Sequence, residues 1–265
     1  MKKIHNISVV LPCYNGEKTI EKCLQSINNQ NCKLELIFID DGSSDNSLSI
    51  IKNFNFNDNC RIKIITRENK GFLYSLDEGI KLASGEYIAR IDSDDIWYDN
   101  HLDLIMSEFI SDDNLVLIGS QATKIDENDE ILGTYNVPCT QADIIKFLHK
   151  DSAFIHSSVV FKKSMYLKTL GYLIGHDIMS MHIADYNLWF ELSKLGSFKN
   201  LPEQTLYYRI SNQSMSRKIN KNINYSARYL VMKKVQDYYR TYFYYSLIQK
   251  IKVKLRMIQY YIFEI

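Results

Sequence analysis

Between residues 7 and 95, short apolar runs alternate with helical stretches, and this alternation constrains the fold more than any other feature of the chain. Ile7 to Leu11, Leu34 to Ile39, Ile62 to Ile65 and Tyr87 to Ile91 read as buried strands. Between them Ile20, Cys23, Leu24 and Ile27 recur at helical spacing, as do Leu73, Leu76, Ile80 and Ala83. Ser44 stands where it can cap a helix running through Ile51, and Gly85 where a left-handed residue can end one. Four strands alternating with three helices predict a parallel sheet in doubly wound order.

Two of these strands end in acids, Asp40-Asp41 and Asp92-Ser93-Asp94-Asp95. A parallel sheet puts all its carboxyl ends on one edge, where ligands of open α/β sheets bind. The five acids therefore converge on one crevice. Carboxylates packed so closely repel, and a divalent cation with hard oxygen ligands relieves the repulsion. The plainer reading of residues 92–95 is a solvated turn that caps a helix beginning near Tyr98.

The second half is less regular. Leu115 to Ser120 predicts a strand and Lys124 to Tyr135 a hairpin about Asn128-Asp129. Ser158 to Phe161 predicts another strand, Asp185 to Leu195 a helix, and Leu206 to Ile210 a last strand. Charge divides the chain near residue 216. The net charge is −8 over residues 1–216 and +9 over residues 217–265. The five cysteines form no C-x-x-C pair, which argues against a zinc ribbon or disulfide framework and for a reducing compartment. No window offers about 18 uninterrupted apolar residues, so a cytoplasmic protein is expected.

An ordered set of motifs carries a resemblance: Pro12-Cys13-Tyr14-Asn15, Asp40 to Asp45, Asn69-Lys70-Gly71, Ala83 to Ile88, Asp92-Ser93-Asp94-Asp95, His156 to Val160, Gly171-Tyr172, Asp185-Tyr186-Asn187-Leu188-Trp189 and Tyr208 to Ser211. Residues 5–216 resemble the inverting nucleotide-sugar glycosyltransferases of family 2, which have the GT-A fold. The resemblance implies a doubly wound, mainly parallel sheet with a smaller mixed acceptor-side region. Residues 1–110 would bind the donor and 111–216 the acceptor.

It also implies roles. Asp92-Ser93-Asp94 is similar to the family's D-x-D motif, so Asp94 would ligate Mg²⁺ or Mn²⁺ on the donor diphosphate, with Asp92 helping. Asp41 would hydrogen-bond a uracil ring with Asp40 nearby, and Pro12, Tyr14, Asn15, Asn69 and Gly71 would line the same nucleotide pocket. Asp185 would be the base that deprotonates the acceptor, with His156 and Trp189 on the acceptor side. Local alternatives stand beside these roles: a turn cap at Asp40, a helix cap at Asp185, and core packing for Tyr14, Cys13 and Trp189. The sequence departs from the family at Ala184, Asn187, Asp77 and Ser211, the last standing where a histidine is usual, which bears on the third metal ligand.

The expected activity is transfer of a sugar from a nucleotide-diphosphate sugar, a UDP-sugar above all, to a glycan or lipid-linked acceptor of a bacterial surface polysaccharide or lipooligosaccharide. A non-catalytic nucleotide-sugar or glycan-binding protein is one rival. A nucleotidyltransferase is another, although Pro12 to Gly16 lacks the glycine- and lysine-rich phosphate loop that class needs. Residues 217–265 read as a basic, tyrosine-rich helical extension, suited either to the anionic inner face of the cell membrane or to packing on the catalytic body or in a homodimer. No nucleic-acid recognition module accompanies the charge.

Overall fold

The computed structural model describes residues 6–172, 183–211 and 229–240. Its centre is a mixed sheet of nine strands in the order β3-β2-β1-β4-β8-β6-β9-β5, with β7 paired to β6. The first half is the predicted one. β1 (Ile7–Cys13), β2 (Leu34–Asp40), β3 (Cys60–Thr66) and β4 (Tyr87–Arg90) run parallel, linked by α1 (Ile20–Asn28), α2 (Ser47–Asn53) and α3 (Phe72–Leu82).

Successive strand residues serve opposite faces of the sheet, which explains the unbroken apolar runs. Val9, Leu11, Leu36, Phe38 and Ala89 pack on the side of α1 and of α4 (His101–Ser111). Val10, Ile37, Ile39 and Ile88 pack on the side of α3, α5 (Gln141–Leu148) and α7 (Ala184–Ser193). α1 alone buries Ile20, Leu24 and Ile27, each contributing about 1.5–3 kcal/mol by leaving water.

Two local expectations are corrected. Ser44 does not cap α2; Asp45 does the equivalent work, its carboxylate accepting from the Ser47 amide at 3.0 Å and the Ser47 hydroxyl at 2.6 Å. Gly85 is not left-handed. It is small because the chain passes β1 there: a Cβ on it would lie 2.6 Å from the Ser8 nitrogen.

In the second half, β5 (Ile96–Trp97) precedes α4, and β6 (Leu115–Ile125) forms the expected hairpin with β7 (Ile131–Tyr135). β8 (Val160–Lys162) lies antiparallel between β4 and β6, and α6 (Lys163–Tyr166) follows it. β9 is longer than Leu206 to Ile210 suggested, running Ser197–Arg209 alongside β6 and reaching β5 at its end. Its first part holds Lys199, Pro202 and Glu203, which hide the strand pattern in the sequence.

Helical residues 229–240 pack on this body: Val231 and Val235 are buried in the α7-side core. The Tyr239 hydroxyl donates to Ser193 at 2.8 Å, and the Tyr238 ring meets Phe190 edge-on. The rest of the basic extension lies outside the described residues. Among the described residues no helix is long and apolar enough to cross a membrane.

Candidate active site

The register of the parallel strands brings their ends level, Cys13 beside Asp40 and Asp40 beside Thr66. The loops that follow are laced together. Asn15, with φ 51°, accepts from the Ser44 amide at 2.9 Å, and its own amide donates to the Ser43 hydroxyl at 3.0 Å. The Gly16 amide donates to Ser47 at 2.8 Å. Pro12 is buried beneath this edge, whereas the Tyr14 ring projects from it.

Asp41 is the hub of the edge. It is 3% exposed, and its carboxylate accepts from the Lys70 and Gly71 amides at 2.9 Å each and from the Arg67 guanidinium. Three donors leave about one of a carboxylate's four acceptor positions for a ligand N–H. Asp40 has the local partner that the sequence allowed: its Oδ1 accepts from the Ser43 amide at 3.1 Å. Asn69 accepts from the Gly71 amide at 3.1 Å. Gly71 has φ 92°, and the space where a side chain would stand is open, so backbone can approach a ligand there.

Beyond β4 the carboxylates of Asp92, Asp94 and Asp95 lie with ligand atoms within 4.8 Å of one another. Asp92 is clamped by Arg90, a fully buried arginine on β4 whose Nη1 donates at 2.9 Å and whose Nη2 closes a second ion-pair contact. The Ser157 hydroxyl donates to Asp92 at 3.2 Å. Ser93 fits against the first loop, where a Cβ on Gly16 would stand 3.2 Å from its hydroxyl.

Burial, then the Asp92 charge, pushes the Asp94 carboxyl up to about 6. Burial, then Asp94 and Asp92, holds Asp95 well above the usual carboxylate range. Asp95 Oδ1 accepts from the Arg209 amide at 2.8 Å. Its Oδ2 is buried without a partner among the described residues, since the nearby Ser157 has one hydroxyl proton and gives it to Asp92. Hard oxygens, mutual repulsion and one orphaned carboxylate oxygen fit a divalent cation such as Mg²⁺ or Mn²⁺.

The other wall is aromatic. His156 opens a single 3₁₀ turn, His156–Ser158, that places Ser157 under Asp92 and turns the imidazole toward Tyr172, with Nε2 2.7 Å from the phenol oxygen. The Phe72, Tyr172 and Trp189 rings surround it. Burial, then the Arg90 charge, lowers the His156 pKa well below its usual value, so the ring is neutral. Trp189 is buried, and its Nε1 has no partner among the described residues.

Asp185 sits in the first turn of α7 rather than at the cap position, which Ile183 holds, and its Oδ1 accepts from the Tyr186 amide at 2.7 Å. Burial above all raises the Tyr172 phenol pKa; Arg90 opposes the rise and the Asp185 and Asp92 charges add to it, so Tyr172 lies in the fields of the predicted base and of the acid cluster together. Asp77 accepts from the Tyr166 hydroxyl at 2.8 Å, which itself accepts from the Tyr172 amide at 3.2 Å, and pairs with Lys81 at 2.7 Å. His176 and His182 lie outside the described residues.

Arg90, Ser157 and Tyr172 escaped the sequence reading as functional groups. Arg90 looks like one more strand residue in Tyr87 to Ile91, and only a charge placed in a run otherwise free of charge signals it.

The model of "Glycosyl transferase family 2" matches residues 8–170. The chain belongs to this family. A glycosyltransferase of Haemophilus influenzae with no assigned reaction is 31% identical over 241 residues, covering 88% of this family member and 74% of that protein. The Escherichia coli UDP-Glc:alpha-D-GlcNAc-diphosphoundecaprenol beta-1,3-glucosyltransferase WfgD is 28% identical over 235 residues, 77% of this chain and 91% of its own. Among solved structures, Staphylococcus aureus TarS residues 1–349 in complex with UDP-GlcNAc superimposes with a TM-score of 0.67 at 16% identity, over 85% of this chain and 65% of that one. The family 2 chain thus shares the GT-A fold, and its acid-tipped strands occupy the predicted edge.

Proposed function

We propose that this family 2 enzyme transfers a sugar, with inversion, from a UDP-sugar to a glycan or lipid-linked acceptor of a bacterial surface polysaccharide or lipooligosaccharide, aided by Mg²⁺ or Mn²⁺. The observation that carries the reading is the acid cluster at residues 92–95, set beside the laced loops, with Tyr172 in the fields of both Asp92 and Asp185. The relatives add support: WfgD is named for a UDP-glucose donor and a diphosphoundecaprenol acceptor, and TarS was solved with UDP-GlcNAc.

In this reading the remaining acceptor position on Asp41 takes the base N–H, and Pro12, Tyr14, Asn15, Asn69 and Gly71 frame the nucleoside. Asp94 holds the metal with Asp95, while Asp92, already clamped by Arg90, supports them from the side. A bound divalent ion supplies positive charge to the departing diphosphate. Asp185 removes the acceptor hydroxyl proton as that oxygen attacks the anomeric carbon from the opposite face, so no covalent sugar intermediate forms. His156 and Trp189 shape the acceptor side through ring contact rather than charge. A lipid-linked acceptor places the reaction at the inner membrane face, where the exposed Lys233, Lys234 and Arg240 offer charge to anionic headgroups.

The test is UDP release from a panel of UDP-sugars with lipid-diphosphate-linked acceptors, with and without Mn²⁺. Metal-dependent release that is lost in Asp185→Asn, with nucleotide binding kept, is expected. Nucleotide binding without release under any acceptor would make the chain a binding protein.

A further inference from the structure

We infer that Arg209 is a positioning residue that sets the shape of the acidic loop from behind, tying it to the β6–β7 turn; the inference rests on the metal role proposed for Asp94. The pairing of β5 with β9, Ile96 opposite Tyr207, places Arg209 across from Asp94 where that ladder ends. Arg209 grips two consecutive acids in two ways. Its backbone amide donates to Asp95 Oδ1 at 2.8 Å, and its side-chain Nε donates to the Asp94 carbonyl at 2.8 Å.

The guanidinium is 4% exposed, and its other nitrogens point away from the acids. Nη1 donates to the Asp126 carbonyl at 2.6 Å, and Nη2 pairs with Asp129 at 2.6 Å. The turn they grip is itself braced. Asp126 accepts from the Asn128 and Glu130 amides at 2.8 and 2.9 Å, and Asp129 also pairs with Lys22 of α1. A planar group with donors along fixed directions can bridge two backbone segments in this way, and a lysine ammonium on a flexible stem cannot. The peptide carbonyl of Asp94 fixes the direction in which its carboxylate leaves the chain. Arg209 therefore sets the spacing of the Asp94 and Asp95 carboxylates without itself touching donor or acceptor.

The experiment measures Mn²⁺ alone, by electron paramagnetic resonance of the free ion, on full-length protein without donor. Arg209→Gln should weaken Mn²⁺ binding tenfold or more, Arg209→Lys less, and Asp129→Asn two- to fivefold, with metal-free UDP affinity within threefold of wild type in all three. Circular dichroism establishes which variants are folded; if Arg209→Gln is not, the other two decide. Folded Arg209→Lys and Asp129→Asn proteins that bind Mn²⁺ within twofold of wild type would overturn the inference, even with lowered melting temperatures, because a purely structural role moves only the latter. A wild type that binds no Mn²⁺ would instead overturn the metal reading on which the inference stands.

Discussion

The proposed donor and acceptor sides of the site are built by different physics. On the donor side, backbone amides and short polar side chains are hydrogen-bonded loop to loop, and Asp41, Asp92 and Asp95 each have donors fixed by the fold. On the proposed acceptor side, Phe72, His156, Tyr172 and Trp189 meet through rings, and the Trp189 nitrogen has no partner among the described residues. A group that carries charge, as a diphosphate does, is held by dipoles organised in advance, since those cost no rearrangement when charge develops. An acceptor sugar is held by shape and stacking, which tolerate exchange of one ring for another. Donor-side substitutions should therefore strike binding and chemistry together, and acceptor-side ones should separate them.

The largest effect is expected at Asp185. Asp185→Asn should lower kcat by roughly 10²–10⁴-fold, the range of a general base. UDP-sugar affinity, measured by calorimetry, should stay near wild type; a matching loss of donor affinity would erase the division between the two walls. Asp94→Asn should cost about 10²–10³-fold in turnover, comparable to losing one electrostatic stabiliser. Here donor affinity in Mn²⁺ should fall as well, and a titration of metal against thermal shift would record it.

Arg90→Met breaks a buried ion pair and should destabilise the fold by about 3 kcal/mol, the lower end for such pairs because Asp92 keeps partial contact with water. Denaturant unfolding reads this directly. Tyr172→Phe removes one hydrogen bond to His156, worth about 1 kcal/mol, and should raise the acceptor KM a few-fold with little change in kcat.

The smallest effect is one of pH. Burial lowers the His101 pKa to about 3, and burial with Arg90 lowers that of His156. Unfolding lets both rings take protons near pH 6.5, so the stability of the neutral rings is whole above that pH and declines as pH falls toward 3. His156→Phe should flatten the acid limb of a melting-temperature profile, and an unchanged limb would show that the acceptor wall contributes nothing to acid sensitivity.

The two walls also differ in how far the sequence foretold them. Strand ends were legible because unbroken apolar runs and the acids after them are local patterns, and Asp40, Asp41, Asp92 and Asp94 met on one edge as the parallel order requires. The partners of those acids were not legible. Arg90 reaches Asp92 by a side-chain path that no spacing encodes, Ser157 arrives 65 residues later, and Arg209, although its strand end is predicted, meets Asp94 and Asp95 only through the pairing of β9 with β5. His101, at the start of α4, is likewise fixed across the sheet, buried against Trp97 with Nδ1 2.7 Å from the Thr205 hydroxyl. Long-range pairing across the sheet sets these contacts, and a single sequence carries no local trace of it.

The helix at 229–240 bears on how this protein can be divided. It lies on the flank of α7, the helix that carries Asp185, and covers Phe190 and Ser193 with Tyr238 and Tyr239. A chain cut at residue 216 would keep every motif of the family yet bare an apolar strip on the back of the helix that holds the proposed base. The change of charge near residue 216 thus does not mark where packing ends: a swap of catalytic units between relatives has to carry its own terminal helix or leave the flank of α7 uncovered.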